Sequence, residues 1–183
     1  MTWQVFLFGI LPLIVFVVVD VFATFKIAVI SSIAAAVIET AWTYFYFHEV
    51  DQMTWIALIL AIGLGLVAYK LDNSKIFKFQ PVVLGVMLAV TVAYFQYFDQ
   101  PILLKFLPKM RLYLSEDQLA IVNSPENMHR MGVLSERLIY VFLTHALLVA
   151  LAALKMSTMS WFLIRSVGIY ILLIAAVLIP VQN

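Results

Sequence analysis

The sequence contains no cysteine, which excludes disulfides, a thiolate nucleophile and thiolate metal sites. Charge is also scarce: 11% of the 183 residues are charged and 65% are apolar, whereas a soluble domain carries about 25% charged residues. So few charged side chains cannot cover a water-facing surface, and a soluble globular domain and a disordered chain are both excluded. The net charge of +1 gives no basic field for nucleic acid, and none is expected as a partner. The motifs HExxH, GxSxG, GxGxxG and the phosphate loop are missing as well. No catalytic residue, cofactor or metal site is therefore assigned. His129 with Glu126 has Glu-x-x-His spacing, which without further ligands makes no metal site. The N-terminus lacks a basic n-region, so its apolar run is expected to be membrane segment and not a cleaved signal peptide.

What the sequence has in abundance is long apolar runs, with a mean hydropathy of +1.07. Six apolar segments follow one another: Trp3–Phe25, Ile27–Phe47, Met53–Leu71, Pro81–Phe98, Arg137–Leu154 and Trp161–Pro180. A spanning helix needs roughly 20 such residues. The expected fold is an all-α polytopic membrane bundle forming one integral membrane domain over residues 1–183. Segment one contains Pro12, and either spans fully or is a Pro-bent, partly inserted helix.

One long polar stretch, residues 100–135, separates segments four and five. Its first part, Pro101 to Tyr113, punctuates an apolar sequence with Lys105, Lys109 and Arg111, a pattern suited to lying at the headgroup level. Ser115 and Gln118 have capping-box spacing, and Ser124-Pro125-Glu126 reads as a second helix start. Short interfacial helices are expected here. The segment four–five loop holds Lys105, Lys109, Arg111, Arg130 and Arg137, and the loops of the opposite side hold Lys26, Lys70, Lys75, Lys78 and Lys155; five against five, the positive-inside rule does not decide orientation.

Helix packing in lipid relies on close backbone approach. Ala57, Ala61 and Gly65 line one face of segment three, and Gly85, Ala89 and Ala93 one face of segment four. Across a short loop these stripes predict an antiparallel hairpin joined along them. Segment two carries a related face, with Ser32, Ala36, Glu39 or Thr40, and Thr43. Trp3, Trp42, Tyr44, Tyr46, Trp55, Tyr69, Tyr94, Tyr97 and Trp161 cluster near segment ends as an interfacial aromatic belt. Charged and titratable groups inside spans are the default functional candidates: Asp20, Glu39, His145 and Arg165. Glu39, in mid-segment, reads either as a proton or cation carrier or as a protonated carboxyl bonded to a neighbouring helix. Arg165, four residues into segment six, can snorkel to the interface. A proton- or ion-coupled transporter or channel using these four groups is one reading of the chain.

A resemblance supplies another. Ile10-Leu11-Pro12-Leu13-Ile14-Val15-Phe16 resembles the Phe-Leu-Pro-Leu-Val-Val-Phe opening of the bacterial intracellular septation protein A family. Asp20-Val21-Phe22-Ala23 resembles its Asp-Ile-Tyr-Ala stretch, about one helical turn early. Ile76-Phe77-Lys78-Phe79-Gln80-Pro81 is similar to its Phe-Ile-Lys-Trp-Lys-Pro. Gln100-Pro101-Ile102-Leu103 resembles its Lys-Pro-Leu-Ile, and Trp161, Arg165 and Gly168 fall on its Trp-x-x-Phe-Lys-x-x-Gly. The order of these short motifs over nearly the whole chain carries the likeness. The departures are a longer loop from Leu112 to Met131, Leu134 and Leu138 in place of a Trp and an Asn, and Glu39 in place of an apolar residue.

The resemblance implies a non-enzymatic, multi-pass protein of the bacterial inner membrane. Its implied role is in septation, cell elongation and envelope integrity, through contacts with the bilayer and with inner-membrane proteins of division or wall synthesis. It also implies cytoplasmic termini and a cytoplasmic 100–135 loop. Oligomeric state stays open. On this reading Phe77, Lys78, Pro81, Lys105 and Trp161 join Asp20, Glu39, His145 and Arg165 as candidate functional residues, with Lys78 also readable as an ordinary snorkelling lysine.

Overall fold

The computed structural model describes residues 11–50, 52–110 and 115–180. Every element among them is a helix: α1 Leu11–Phe22, α2 Phe25–Phe47, α3 Gln52–Leu71, α4 Ser74–Lys78, α5 Gln80–Phe98, α6 Ile102–Met110, α7 Glu116–Val122, α8 Pro125–Lys155 and α9 Thr158–Leu178. The segments over α2, α3, α4–α5, α8 and α9 are long and apolar enough to cross a membrane, and α1 is shorter. The fold is thus an all-α membrane bundle, because a chain in lipid must satisfy its backbone polar groups within each helix.

Local chemistry sets the helix ends. Pro12 lies in the first turn of α1, where a missing donor costs nothing, and its carbonyl accepts a 2.8 Å bond from the Ser32 hydroxyl on α2. His48 closes α2 in the left-handed region at φ 57°, its N–H donating to the Tyr44 carbonyl at 2.8 Å. Asn73 caps α4 by accepting from the Lys75 N–H at 3.0 Å. The expected capping box forms: the Ser115 N–H donates to Gln118 Oε1 at 3.0 Å, and the Gln118 N–H to Ser115 Oγ at 3.4 Å. The helix starting at Pro125 does not end before the fifth apolar segment. It runs unbroken for 31 residues, about 46 Å, which exceeds the roughly 30 Å hydrocarbon core. No proline follows Pro125 in this stretch to stop it, and Glu126 pairs with Arg130 one turn on at 2.6 Å.

Two compact units divide the chain, Met1–Val82 with Val149–Leu163, and Val83–Leu148 with Ile164–Asn183. In the first, α1 packs along α2, α2 on α3, and α3 on α4. Here the expected stripe pairing is corrected. A side chain added at Gly65 would meet Ile33 Cδ1 at 2.7 Å and Val29 Cγ1 at 3.3 Å, so the small face of α3 receives α2. In the second unit, Gly85 of α5 faces Ala146 and Phe142 of α8. The loop between segments three and four contains helix α4. Also in the second unit, the Leu103 N–H of α6 donates to the buried Ser135 hydroxyl of α8 at 3.1 Å, and Ser135 donates to the Met131 carbonyl at 2.8 Å.

Candidate functional site

In the first unit the C-terminal end of α1, the end of α4 and the start of α9 meet, and each contributes a polar group. Asp20 is two residues from the end of α1, Lys78 is the last residue of α4, and Thr158 is the first of α9. The Lys78 ammonium donates to the Thr158 hydroxyl at 2.8 Å, and that hydroxyl donates to Asp20 Oδ2 at 2.7 Å. A single hydroxyl thereby bridges a cation and an anion. Lys78 is only 6% exposed, and a charge so placed is tolerated when it is paired and hydrogen-bonded.

Aromatic rings pack beside this chain of bonds. Phe16 is fully buried, with ring centroids 4.7 Å from Phe77, 6.1 Å from Trp161 and 6.3 Å from Phe25. The edge-to-face contacts with Trp161 and Phe25 suit the ring quadrupoles. The indole N–H of Trp161 donates to the Lys78 carbonyl at 3.2 Å. Trp161 is 1% exposed, which corrects its assignment to the interfacial belt. Trp42, Tyr44, Tyr46, Trp55, Tyr69, Tyr94 and Tyr97 are exposed, and Trp3 lies outside the described residues. Pro81 sits in the first turn of α5, and the adjacent Gln80 amide donates to the Ala57 carbonyl of α3 at 3.1 Å.

The remaining candidates lie elsewhere. Glu39 is half-buried on α2, where its own carbonyl accepts from Thr43 at 2.9 Å. Among the described residues its carboxylate has no hydrogen-bond partner. Thr40 likewise bonds back to its own helix, at the Ala36 carbonyl. In the second unit, His145 is buried and its Nε2 donates to the Arg165 carbonyl at 3.2 Å, with Gly168 beside the imidazole. Arg165 is half-buried. Lys105 forms an ion pair with Asp99 and lies over the Phe95 ring, 4.2 Å from its centroid. That hydrogen bond holds the Asp99 carboxyl below its ordinary 3.8. The side chain of Lys109, and Arg111 altogether, lie outside the described residues.

Of the residues singled out in the sequence, Asp20, Phe77, Lys78 and Trp161 come together. They belong to three separate family-like motifs. Thr158, which bridges them, carried no motif of its own. The only signal for it was a hydroxyl residue just ahead of Trp161, at a helix start. Arg137 was read as a loop cation. It instead binds the C-terminal end of α9, donating to the carbonyls of Ala176, Ile179 and Pro180 at 2.8, 2.6 and 3.0 Å.

The sequence model of one family, described as Intracellular septation protein A, matches residues 5–182. Among similar proteins is the inner membrane-spanning protein YciB of Nitrosospira multiformis, 30% identical over 124 residues, covering 65% of this chain and 66% of that one. The protein of the same name from Cupriavidus necator is 34% identical over 90 residues, covering 46% and 48%. That from Ralstonia nicotianae is 34% identical over 92 residues, covering 48% and 47%. The chain thus spans about half to two thirds of the length of the curated relatives it matches. No solved structure matches. A match over almost the full chain, together with apolar helices of membrane length, makes this an inner-membrane protein that belongs to the intracellular septation protein A family.

Proposed function

We propose that the protein serves septation, cell elongation and envelope integrity as a non-enzymatic component of the inner membrane, acting through contacts with other membrane proteins of division or wall synthesis. The observation that carries this reading is the engagement of Asp20, Lys78 and His145 within the bundle. Asp20 and Lys78 are held by Thr158, and His145 by a backbone carbonyl, which is what a load-sharing helical framework needs. On this reading Asp20, Phe77, Lys78 and Trp161 set the framework. The 100–135 segment and both termini face the cytoplasm, and the stretch from Pro101 to Arg111, with Lys105, meets lipid or partners. Deleting the gene is expected to disturb division and to weaken the envelope under osmotic stress. Normal division and envelope integrity at several growth rates would overturn the proposal.

A second reading rests on Glu39, whose carboxylate lacks a partner among the described residues on a helix long enough to span. A proton- or ion-coupled transporter would use this group. It predicts flux in liposomes that Glu39→Gln abolishes, and an unchanged flux in that variant removes it.

A further inference from the structure

The first unit is electrically lopsided along its helices, and the lopsided end lies where a headgroup layer would be. At the end where Asp20, Lys78 and Thr158 meet, five lysines gather. Lys26 is in the first turn of α2, Lys70 in the last turn of α3, Lys75 and Lys78 are on α4, and Lys155 is in the last turn of α8. The helix ends that carry them are joined by the Lys26–Asp72 pair at 3.7 Å, by Lys26 over the Tyr69 ring at 5.5 Å, and by the Lys78–Thr158 bond. Two carboxylates, Asp20 and Asp72, share this end, and both are engaged, by Thr158 and by Lys26. Lys70, Lys75 and Lys155 are exposed and, among the described residues, have no carboxylate partner. At the other end of α2, 23 helical residues or about 34 Å away, the described residues of this unit include Glu49 and no lysine or arginine.

We infer that Lys70, Lys75 and Lys155 form a docking surface for the headgroup of an anionic phospholipid, contributed by the leaflet at this end of the bundle. Three helix ends supply the cations, and the helices are of membrane length, so the ammonium groups lie at the depth of lipid phosphates. Lysine suits this occupant. Its compact charge sits on a flexible stem that can follow a mobile phosphate, whereas bidentate recognition of a fixed carboxylate would call for the planar fork of arginine. The engaged state of Asp20 and Asp72 leaves the charge of these three lysines available to an outside anion. The neighbouring Tyr69, 40% exposed at the same level, offers an amphipathic ring to the glycerol region.

The full chain, purified in a zwitterionic detergent, is titrated with phosphatidylglycerol or with phosphatidylcholine of the same acyl chains, and bound lipid is counted by native mass spectrometry. The wild type is expected to bind phosphatidylglycerol more tightly, by about fivefold for each lysine engaged. The combined Lys70→Gln, Lys75→Gln and Lys155→Gln variant should lose that preference. The matching triple Lys→Arg variant, and Arg130→Gln in the other unit, should keep it. Equal binding of the two lipids by the wild type overturns the inference, whatever the variants do. So does a preference that survives the glutamine substitutions. Displacement of phosphatidylglycerol by millimolar inorganic phosphate would assign the site to free phosphate and equally overturn the lipid assignment.

Discussion

Thr158 is the residue on which the cluster in the first unit turns. Replacing it with valine keeps the volume but removes the atom that both accepts from Lys78 and donates to Asp20. The cation and anion then lose their shared partner in a largely apolar surround. The expected loss is about 1–3 kcal/mol, the cost of leaving buried polar groups unsatisfied. Thr158→Ser should retain most of the stability. Thermal unfolding in detergent measures both, and a valine variant as stable as wild type would contradict the bridge. Removing Lys78 or Asp20 alone should cost more, about 3–5 kcal/mol, because the partner charge is left uncompensated. Phe16→Ala should cost a comparable amount by emptying the space against Phe77 and Trp161. Asp99 tests electrostatics outside the membrane. The hydrogen bond from Lys105 lowers its folded-state value below the ordinary 3.8, so its stabilising contribution is present above 3.8. That contribution is lost only as pH falls through the lower folded-state value. Carboxyl titration by NMR should give a midpoint below 3.8 that returns toward it in Lys105→Gln, and a midpoint at or above 3.8 in the wild type would refute the pairing.

At the scale of the helix, glycines separate close approach from mere permissiveness. Gly65 and Gly85 lie against side chains of α2 and α8, whereas Gly63 and Gly132 have nothing within 4 Å of an added Cβ. Gly132→Ala in α8 should therefore stabilise by up to about 1 kcal/mol through helix propensity alone. Gly85→Leu should destabilise by about 1–3 kcal/mol through overpacking against Ala146 and the Phe142 carbonyl. Unfolding of the two variants in one detergent checks both signs, and a destabilised Gly132→Ala would mean that α8 is more crowded there. These glycines also mark how far the helices were legible in sequence. Small-residue spacing identified the packing faces of α3 and α5 correctly as faces. It did not name the helix that fills each one, because any helix passing closely can use a small residue. The same limit applied to Trp161. Its position near a segment end suited a belt residue, and only the tertiary approach of the Lys78 carbonyl made it a buried donor. The long apolar runs, the capping box and the proline starts were readable because they depend on local periodicity and local hydrogen bonds. Thr158 and Arg137 act across 80 and 39 residues of sequence, beyond any local pattern.

For the molecule as a whole, the arrangement of charge bears on how the chain sits in its membrane. Arg137 was counted among the loop cations, but its guanidinium is spent on three carbonyls at the end of α9. It neutralises a helix terminus and is less free to act as an orientation signal. Buried Lys78 is likewise spent on Thr158, so setting both aside leaves four basic residues on each side and charge still does not choose an orientation. The family resemblance implies a cytoplasmic 100–135 segment, which would put the end that holds Lys26, Lys70, Lys75 and Lys155 on the other face. The native absence of cysteine makes the test direct. Helix α3 crosses between Glu49 and Lys75, so single cysteines at these positions should react with an impermeant thiol reagent from opposite faces of the inner membrane. Labelling of Lys75→Cys from outside intact spheroplasts, with Glu49→Cys protected until the membrane is opened, supports the family orientation and places the inferred lipid surface in the outer leaflet. The reverse pattern overturns the family orientation and assigns that surface to the cytoplasmic leaflet. Reaction of both positions from one face would contradict α3 as a membrane-crossing helix, since its 20 residues, about 30 Å long, match the hydrocarbon core.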